Sequence, residues 1–249
     1  SIILSGGADE NYSITLINGT LTIGKKDLTI TADDKQKTYG DSNPALTFKY
    51  TGLVNGDTKV TTEPSISTTA TQASNVGTYP ITLSGGSDPN YAITLVNGTL
   101  TIGQKALTIT ADDKQKIYGE ANPALTFSYA GLVNSDIKVS KEPSVTTTAT
   151  AGSSVGTYPI TLTGAADDNY SITLVNSTLN IGKATLKITA DSKTKVFGNI
   201  DPVLSYSASG FKLPDTESVL SGSLTRAAGE GIGVYPISLG TLQAGANYQ

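Results

Sequence analysis

The sequence contains no cysteine, methionine, tryptophan or histidine. Without cysteine there are no disulfides, thiolate metal sites or cysteine nucleophiles. The absence of methionine also means that no initiator residue is present, so we expect an internal or processed piece of a longer protein. A chain without sulfur or imidazole side chains is typical of an exposed extracellular polymer, because it offers little to oxidation.

Charged residues and long apolar runs are also scarce. Only 15% of the residues are charged, the net charge is −4, and the lysines and arginines form no basic run. We therefore expect no nucleic-acid-binding surface. No apolar run is long enough to cross a bilayer, and no signal peptide is visible. Aromatic residues make up 6% of the chain, whereas threonine and glycine are abundant, which favours strands and turns over helices.

What the sequence does have is a repeated stretch, which reads NYAITLVNGTLTIGQKALTITADDKQKIYG at residues 90–119. Related copies occupy residues 11–40 and 169–198, each offset by 79 residues. A fixed period of this kind sets the size of the structural unit and overrides the usual expectation of one or two domains for this length.

The period predicts four domains. Residues 1–24 form the C-terminal part of a truncated preceding repeat. Repeat 1 spans residues 25–103 and repeat 2 spans residues 104–182, and both are complete. Repeat 3, residues 183–249, is more divergent and lacks its final hairpin.

The end of each repeat carries a hairpin signal. Two alternating runs flank Asn97 and Gly98, a dipeptide that tolerates the positive φ angles of a type I′ turn. This register pairs Leu95 with Leu100 on an apolar face. We therefore predict that a β-hairpin closes each repeat.

The spacing of turn signals predicts about seven short strands per repeat and no helix. Residues 54–57 indicate a turn or a single helical turn. The threonine-rich residues 58–71, which Pro64 interrupts, form one edge strand or two short strands. We predict an all-β chain, a tandem array of modules of about 79 residues, each β-sandwich-like and either Ig-like or a related compact β module.

The connections between repeats are short. Only residues 103–106 separate the predicted hairpin of repeat 1 from the first strand of repeat 2, and they span at most ~14 Å when extended. They include no proline or serine tract of the kind found in flexible linkers. We therefore predict that neighbouring repeats hold a preferred orientation and form an elongated, semi-rigid rod.

Two groups of side chains are candidates for binding sites. The twelve tyrosines all recur in repeat columns and could stack on sugars, but packing is the favoured role, because Phe197 replaces Tyr39 and Tyr118. Asp33, Asp34 and the neighbouring carboxylates could bind Ca²⁺ between repeats, but adjacent residues on a strand face opposite ways and no calcium-loop spacing is present.

Asp57 recurs in its column and is expected to cap its own turn. We therefore expect no catalytic, cofactor-binding or metal site, no cofactor and no enzymatic activity, since no pair of carboxylates is placed apart from turn chemistry.

Several blocks recur in a fixed order: LTITAD, Tyr39 with Gly40, NPAL at 43–46, GLVNGD at 52–57, GTYP at 77–80 and NYAI at 90–93. They resemble the MBG domain of the YGX type, a repeat of large bacterial surface proteins and adhesins, and the resemblance covers essentially the whole chain. Phe197 departs from the Tyr–Gly pattern. The resemblance implies an extracellular tandem array on the bacterial cell surface and supplies no catalytic residues.

Two functions remain open at this point. The first is a non-catalytic stalk or spacer that projects an adhesive region from the cell, with the neighbouring repeats as its partners and any glycan or protein bound by other domains. The alternative is a binding module that recognises a glycan or a host or matrix protein through threonine-rich residues 58–71.

Overall fold

Strands make up almost all regular structure in the computed structural model, which describes residues 1–249. It contains twenty strands and one 3₁₀ turn, and the chain divides into two compact units, Ser1–Lys105 and Ala106–Gln249. The sequence alternation accounts for the strands, since Leu28, Ile30 and Ala32 of the first strand are buried and the intervening threonines are not. The predicted all-β class is confirmed.

Repeat 1 contains seven strands, as the turn signals predict. They are β1 Lys26–Ala32, β2 Lys35–Thr38, β3 Phe48–Thr51, β4 Ser65–Thr68, β5 Gly77–Ser84, β6 Tyr91–Val96 and β7 Gly98–Gly103. Of the two possibilities for the threonine-rich residues 58–71, the structure shows a single short strand, β4.

The seven strands form two sheets, with orders β3–β1–β6 and β2–β7–β5–β4. In the first, β1 is antiparallel to β3 and parallel to β6. In the second, β7 is antiparallel to β5 and parallel to β2. Because β2 is an edge strand that pairs only with β7, β7 is the strand that attaches it to the rest of the sheet.

The core of repeat 1 is built from the aliphatic faces of both sheets. Leu28 and Ile30 from β1, Ile81 from β5, and Leu100 and Ile102 from β7 are all at most 1% exposed. Full burial of each such side chain stabilises the fold by about 1.5–3 kcal/mol. Two of the five come from β7, so this one strand contributes both hydrogen bonds and core volume.

Repeat 2 reproduces this topology. Its strands are β8 Lys105–Ala111, β9 Lys114–Ile117, β10 Phe127–Ala130, β11 Ser144–Thr147, β12 Gly156–Thr163, β13 Tyr170–Val175 and β14 Ser177–Gly182. The sheets have orders β10–β8–β13 and β11–β12–β14–β9. Only Gln104 lies between β7 and β8, which makes the connection shorter than the sequence indicates.

The predicted closing hairpin is wrong. β6 and β7 follow one another directly, but β6 pairs with β1 in the three-stranded sheet, and β7 pairs with β5 and β2 in the four-stranded sheet. The predicted partner of Leu100 was Leu95, whereas its partners are Tyr79 and Lys35. At Asn97 the chain crosses from one sheet to the other instead of reversing.

Contacts with distant residues explain why asparagine and glycine occupy positions 97 and 98. The Asn97 side chain accepts a hydrogen bond from the Leu83 backbone N–H at 3.0 Å and so ties the crossing to β5. Gly98 is buried, and a Cβ added there would lie 2.8 Å from the carbonyl oxygen of Ala32. Glycine is therefore needed for close backbone approach and not for a positive φ.

A turn with positive φ angles occurs elsewhere, in the segment predicted as a turn at residues 54–57. Asn55 and Gly56 have φ angles of 57° and 82°, and the Asp57 N–H donates to the Val54 carbonyl at 3.1 Å. Positive φ at both central residues is the mark of a type I′ turn. In repeat 2 the same positions are Asn134 and Ser135, with φ angles of 55° and 66°.

Repeat 3 has only short ladders. Its elements are β15 Lys187–Ala190, β16 Tyr206–Ser209, a 3₁₀ turn Glu217–Val219, β17 Leu220–Ser221, β18 Thr225–Arg226, β19 Ile237–Ser238 and β20 Gln243–Ala244. They pair as β15–β16, β17–β20 and β18–β19. Residues 1–24 contain no strand and only one bridge, between Ile2 and Gly19.

Candidate functional site

The Tyr–Gly–x sequences of repeats 1 and 2, and the Phe–Gly–x sequence of repeat 3, each form a tight turn. In repeat 2 the Glu120 N–H donates to the Ile117 carbonyl at 3.1 Å, and Gly119 has a φ of 80°. A four-residue turn with positive φ at its third position is type II, which requires glycine there. Tyr118, at the second position, is held at the end of β9, where its side chain leaves its own repeat.

Tyr118 of repeat 2 makes its polar contact with repeat 3, in the same compact unit. Its ring is 5% exposed, and its hydroxyl donates to Oδ2 of Asp215 at 3.0 Å. The ring also meets that of Tyr248 edge-on, with centroids 5.6 Å apart, which is a favourable geometry for two aromatic rings. We refer to Tyr118, Asp215 and Tyr248 as the tyrosine–aspartate junction.

Asp215 is held in place by its own repeat. Its N–H donates to the Lys212 carbonyl at 2.8 Å and closes a turn. The Tyr248 hydroxyl accepts from the Lys212 N–H at 3.0 Å and donates to Oδ2 of Asp215 at 2.7 Å. One carboxylate oxygen thus accepts phenol hydrogen bonds from two consecutive repeats, and bonds to an ionised acceptor are stronger than neutral ones.

The electrostatics of the junction keep both phenols protonated. The hydrogen bond to Asp215, reinforced by burial, raises the pKa of Tyr118 above its usual value. Burial is the main cause that raises the pKa of Tyr248, and Asp215 adds to it. Both effects disfavour a phenolate beside a carboxylate. The two hydroxyls therefore remain donors throughout the neutral pH range.

Two further contacts cross the same junction. The Asn247 side chain of repeat 3 accepts a hydrogen bond from the Val155 N–H of repeat 2 at 3.0 Å. Lys212 covers Gly119 so closely that a Cβ added there would lie 2.3 Å from the lysine Cβ. The glycine of the Tyr–Gly pair thus serves both the turn and the contact with the next repeat.

A tyrosine–aspartate pair also occurs inside each repeat. Tyr91 donates to Asp57 at 2.7 Å and Tyr170 donates to Asp136 at 2.6 Å, as Tyr248 does to Asp215. The backbone N–H of Asp57 closes the turn at residues 54–57, whereas its carboxylate accepts from Tyr91, a role that the sequence interpretation missed. The signal was available, because the GLVNxD and NYxI blocks recur together in each complete repeat.

The structure places the contacts of Asp33 and Asp34 within repeat 1. Asp33 accepts from the Thr47 hydroxyl at 2.6 Å, and Asp34 accepts from the Thr99 N–H at 2.7 Å. Each therefore ties the turn between β1 and β2 to a neighbouring strand. No group of three or more acidic side chains is arranged to hold a metal ion.

The threonine-rich residues 58–71 are partly occupied by internal bonds. The Thr61 hydroxyl donates to Asp88 at 2.8 Å, and Thr62 forms a backbone bridge with Ser87. β4 lies at the edge of its sheet, so one side of its backbone remains open to solvent.

Lys37 and Lys116, at equivalent positions of repeats 1 and 2, have a role that the sequence interpretation did not identify. Lys116 is only 7% exposed, and its ammonium group donates to the carbonyls of Glu120 and Thr150 at 2.9 and 2.6 Å. Burial lowers its pKa, partly offset by Glu120. This lysine anchors the Tyr–Gly turn to the loop after β11, and Lys37 makes the equivalent bonds in repeat 1.

Comparison with known proteins agrees with this architecture. The family model described as MBG domain (YGX type) matches residues 28–101, 107–180 and 186–249. No curated protein sequence matches the chain. None of its helices has the length and apolar character needed to cross a membrane. The chain therefore belongs to the MBG domain family of the YGX type, which it contains as three tandem repeats.

Proposed function

We propose that this chain is a non-catalytic stalk segment of a bacterial cell-surface adhesin, located outside the cell and projecting an adhesive region that belongs to other domains. The observation that carries the proposal is the tyrosine–aspartate junction, in which Asp215 accepts hydrogen bonds from Tyr118 of repeat 2 and Tyr248 of repeat 3. A contact of this kind lets one repeat orient the next.

The connection between repeats 2 and 3 also supports a stalk. β14 ends at Gly182, and the Ala184 N–H already donates to the Asn247 carbonyl within repeat 3 at 2.9 Å. Lys183 is thus the one residue between the two folded parts. A single residue leaves far less freedom than a flexible linker, so the junction contacts are made at low entropic cost.

We propose repeats at residues 25–103, 104–182 and 183–249, preceded by a partial repeat at 1–24. Their partners are neighbouring repeats of the same chain. No cofactor, metal ion or nucleic acid takes part in this function, and the carboxylates and tyrosines serve turns and junctions.

Small-angle X-ray scattering on lengthened chains tests the stalk. One, two or three extra copies of residues 104–182 are inserted after Gly182 of the full chain. If the repeats form a semi-rigid rod, the maximum dimension should rise by a constant step of about 30 Å or more per copy. A matched series with a Gly–Ser segment added at each connection should grow more slowly. Growth near the square root of repeat number in the unmodified series would contradict the proposal.

The alternative function is a binding module that uses the threonine-rich residues 58–71, and the open edge of β4 is the feature that favours it. A glycan array probed with the full chain separates the two functions. The stalk proposal predicts no specific ligand, whereas specific sub-millimolar binding that is lost when Ser67 and Thr69 are replaced by alanine would establish the binding module.

A further inference from the structure

The chain enters and leaves a complete repeat through central strands. In repeat 1 the first strand, β1, lies between β3 and β6, and the last strand, β7, lies between β2 and β5. Repeat 2 has the same arrangement, with β8 between β10 and β13 and with β14 between β9 and β12. A central strand leaves its sheet only when two ladders break, whereas an edge strand is held by one.

The ladder between β1 and β6 is parallel, and this direction decides how a pull on the chain acts on it. Six residues of each strand are paired, from Lys26 with Tyr91 to Thr31 with Val96. A pull reaches β1 at its first residue, and it reaches β6 at its last residue, through Asn97 and β7. Because the strands run parallel, these two points lie at opposite ends of the ladder. The pull therefore slides β1 along β6 instead of peeling the two strands apart.

The second sheet is loaded in the same way. β2 is parallel to β7, with Lys35 opposite Leu100 and Thr38 opposite Gly103. A pull on β1 reaches the start of β2 through the two residues that follow β1, and the opposing pull acts on the end of β7. These points again lie at opposite ends of a parallel ladder. The same strands of repeat 2, β9 and β14, are also parallel.

Sliding and peeling differ in how the hydrogen bonds share the load. The bonds of a parallel ladder are evenly spaced, so when the strands slide, all of them carry the load and break together. When the strands peel, the bonds break one after another, and each bond in turn carries the whole load. The β1–β6 ladder is also extended at its loaded end, where the Lys26 N–H donates to the Asn90 carbonyl at 2.9 Å and the Lys25 ammonium group donates to the Asp88 carbonyl at 3.0 Å.

The core resists the same movement. Leu28 and Ile30 of β1 and Leu100 and Ile102 of β7 are at most 1% exposed. Protein interiors are close-packed, so neither strand can move along its own axis without displacing these side chains from their neighbours. Packing and hydrogen bonds therefore oppose sliding together.

We propose that each complete repeat is a mechanical clamp that carries tensile load along the chain. In repeat 1 the clamp consists of the β1–β6 and β2–β7 ladders, loaded in shear. The proposal rests on the stalk function, since a stalk transmits the pull between the cell and the adhesive region. β4 pairs only with β5 and lies outside the clamp. Forced unfolding is governed by the unfolding rate, so the clamp acts through the barrier to rupture and not through equilibrium stability.

Single-molecule force spectroscopy of the full chain tests the clamp by changing only the points where the pull is applied. The chain has no cysteine, so Gly24→Cys and Gln104→Cys attach handles to the two ends of repeat 1. A Cβ at Gly24 has no atom within 4 Å. In the second variant, Ala92→Cys takes the place of Gln104→Cys. Ala92 is exposed and pairs with Asp27 near the start of β1, so this pull peels β1 from β6.

We expect the rupture force to be several times higher in the first geometry than in the second at the same pulling rate. Residues 26–103 should be released in a single event, with a contour length of about 260–280 Å. Without load, both variants should melt like the native chain. Equal rupture forces in the two geometries, or release of repeat 1 in several smaller steps, would overturn the proposal.

Two matched substitutions in the Gly24→Cys, Gln104→Cys chain provide the second arm. Ile93→Ala in β6 and Ile66→Ala in β4 each shorten a half-buried isoleucine, and each should lower the free energy of unfolding. Only Ile93→Ala should lower the rupture force, because contacts that break after the barrier do not change the unfolding rate. An equal or larger loss of force with Ile66→Ala would overturn the proposal.

Pulling and scattering distinguish a failed clamp from a failed stalk. Rod-like growth in scattering, together with equal rupture forces in the two geometries, would contradict the clamp alone. Freely jointed growth, together with a much higher rupture force in the first geometry, would contradict the stalk and support the clamp.

Discussion

Repeats 2 and 3 lie in one compact unit and share a sequence pattern, but only repeat 2 has a fully built core. Ile160 and Leu179 of repeat 2 are completely buried, whereas repeat 3 leaves Leu239 and Val234 exposed. In repeat 2 the closing segment provides β14, which pairs with β12 and β9 at once and so joins the edge strand β9 to the rest of a four-stranded sheet. Residues 183–249 contain only two-stranded ladders.

The largest expected effect comes from removing a core side chain of β14. Leu179→Ala should destabilise repeat 2 by about 2–5 kcal/mol, since it removes a fully buried side chain and leaves a cavity. Hydrogen exchange resolved over β9, β12 and β14 would measure it. Leu21→Ala, at the equivalent position of residues 1–24, is the control. It should leave the free energy of unfolding almost unchanged, because Leu21 is largely exposed. Equal effects at the two positions would contradict the role assigned to β14.

The close backbone approach at the start of the closing strand gives the next effect. Gly98→Val should cost about 1–3 kcal/mol through steric overlap with the Ala32 carbonyl. Gly19→Val is the matched control, since a Cβ at Gly19 has no atom within 4 Å. Calorimetric melts of both variants would show the difference. A Gly98→Val protein that melts like the native chain would mean that the sheet crossing has been misassigned.

The junction contributes a smaller effect. Tyr118→Phe keeps the ring and removes the hydrogen bond to Asp215, so it should weaken the contact between repeats 2 and 3 by about 1.5 kcal/mol. Faster hydrogen exchange at residues 212–215 would report it. Phe197→Tyr is the reverse change at the equivalent column and should be silent, because Phe197 is 71% exposed. Unchanged exchange in Tyr118→Phe would show that the hydroxyl does not couple the repeats.

The smallest expected effect is a gain in stability. Ser135 has a φ of 66° in the type I′ turn of repeat 2, where repeat 1 has Gly56. Ser135→Gly should stabilise repeat 2 by about 0.5–1 kcal/mol, because glycine adopts this conformation without a steric penalty. Gly56→Ser should destabilise repeat 1 by a similar amount. Denaturant unfolding of both variants measures the two changes in the free energy of unfolding. Changes of the same sign would argue against the turn assignment.

Much of the fold follows from the sequence because strand alternation is a local property. The buried residues of β1 and the strand at β5 can be identified from period-two patterns bounded by turn residues. The 79-residue period then fixes the unit. These signals do not depend on which strands pair, so the strands and the repeat unit can be predicted correctly even when the predicted strand pairing is wrong.

Strand pairing could not be obtained in the same way. Asn97 and Gly98 have the composition of a type I′ hairpin turn, but the asparagine side chain bonds to β5 and the glycine lies against Ala32 of the other sheet. Both causes are long-range contacts that a local pattern does not contain. The tyrosine–aspartate junction was missed for the same reason, because Tyr118 and Asp215 are 97 residues apart.

The central claim is that repeats 2 and 3 hold a fixed orientation through the tyrosine–aspartate junction, and a distance measurement tests it most directly. The chain has no cysteine, so Thr146→Cys and Ser207→Cys place spin labels only on the exposed faces of β11 and β16. Pulsed dipolar spectroscopy of the full chain should give one narrow distance distribution, and Tyr118→Phe should broaden it. A broad distribution in the unsubstituted junction, unaffected by Tyr118→Phe, would contradict the claim.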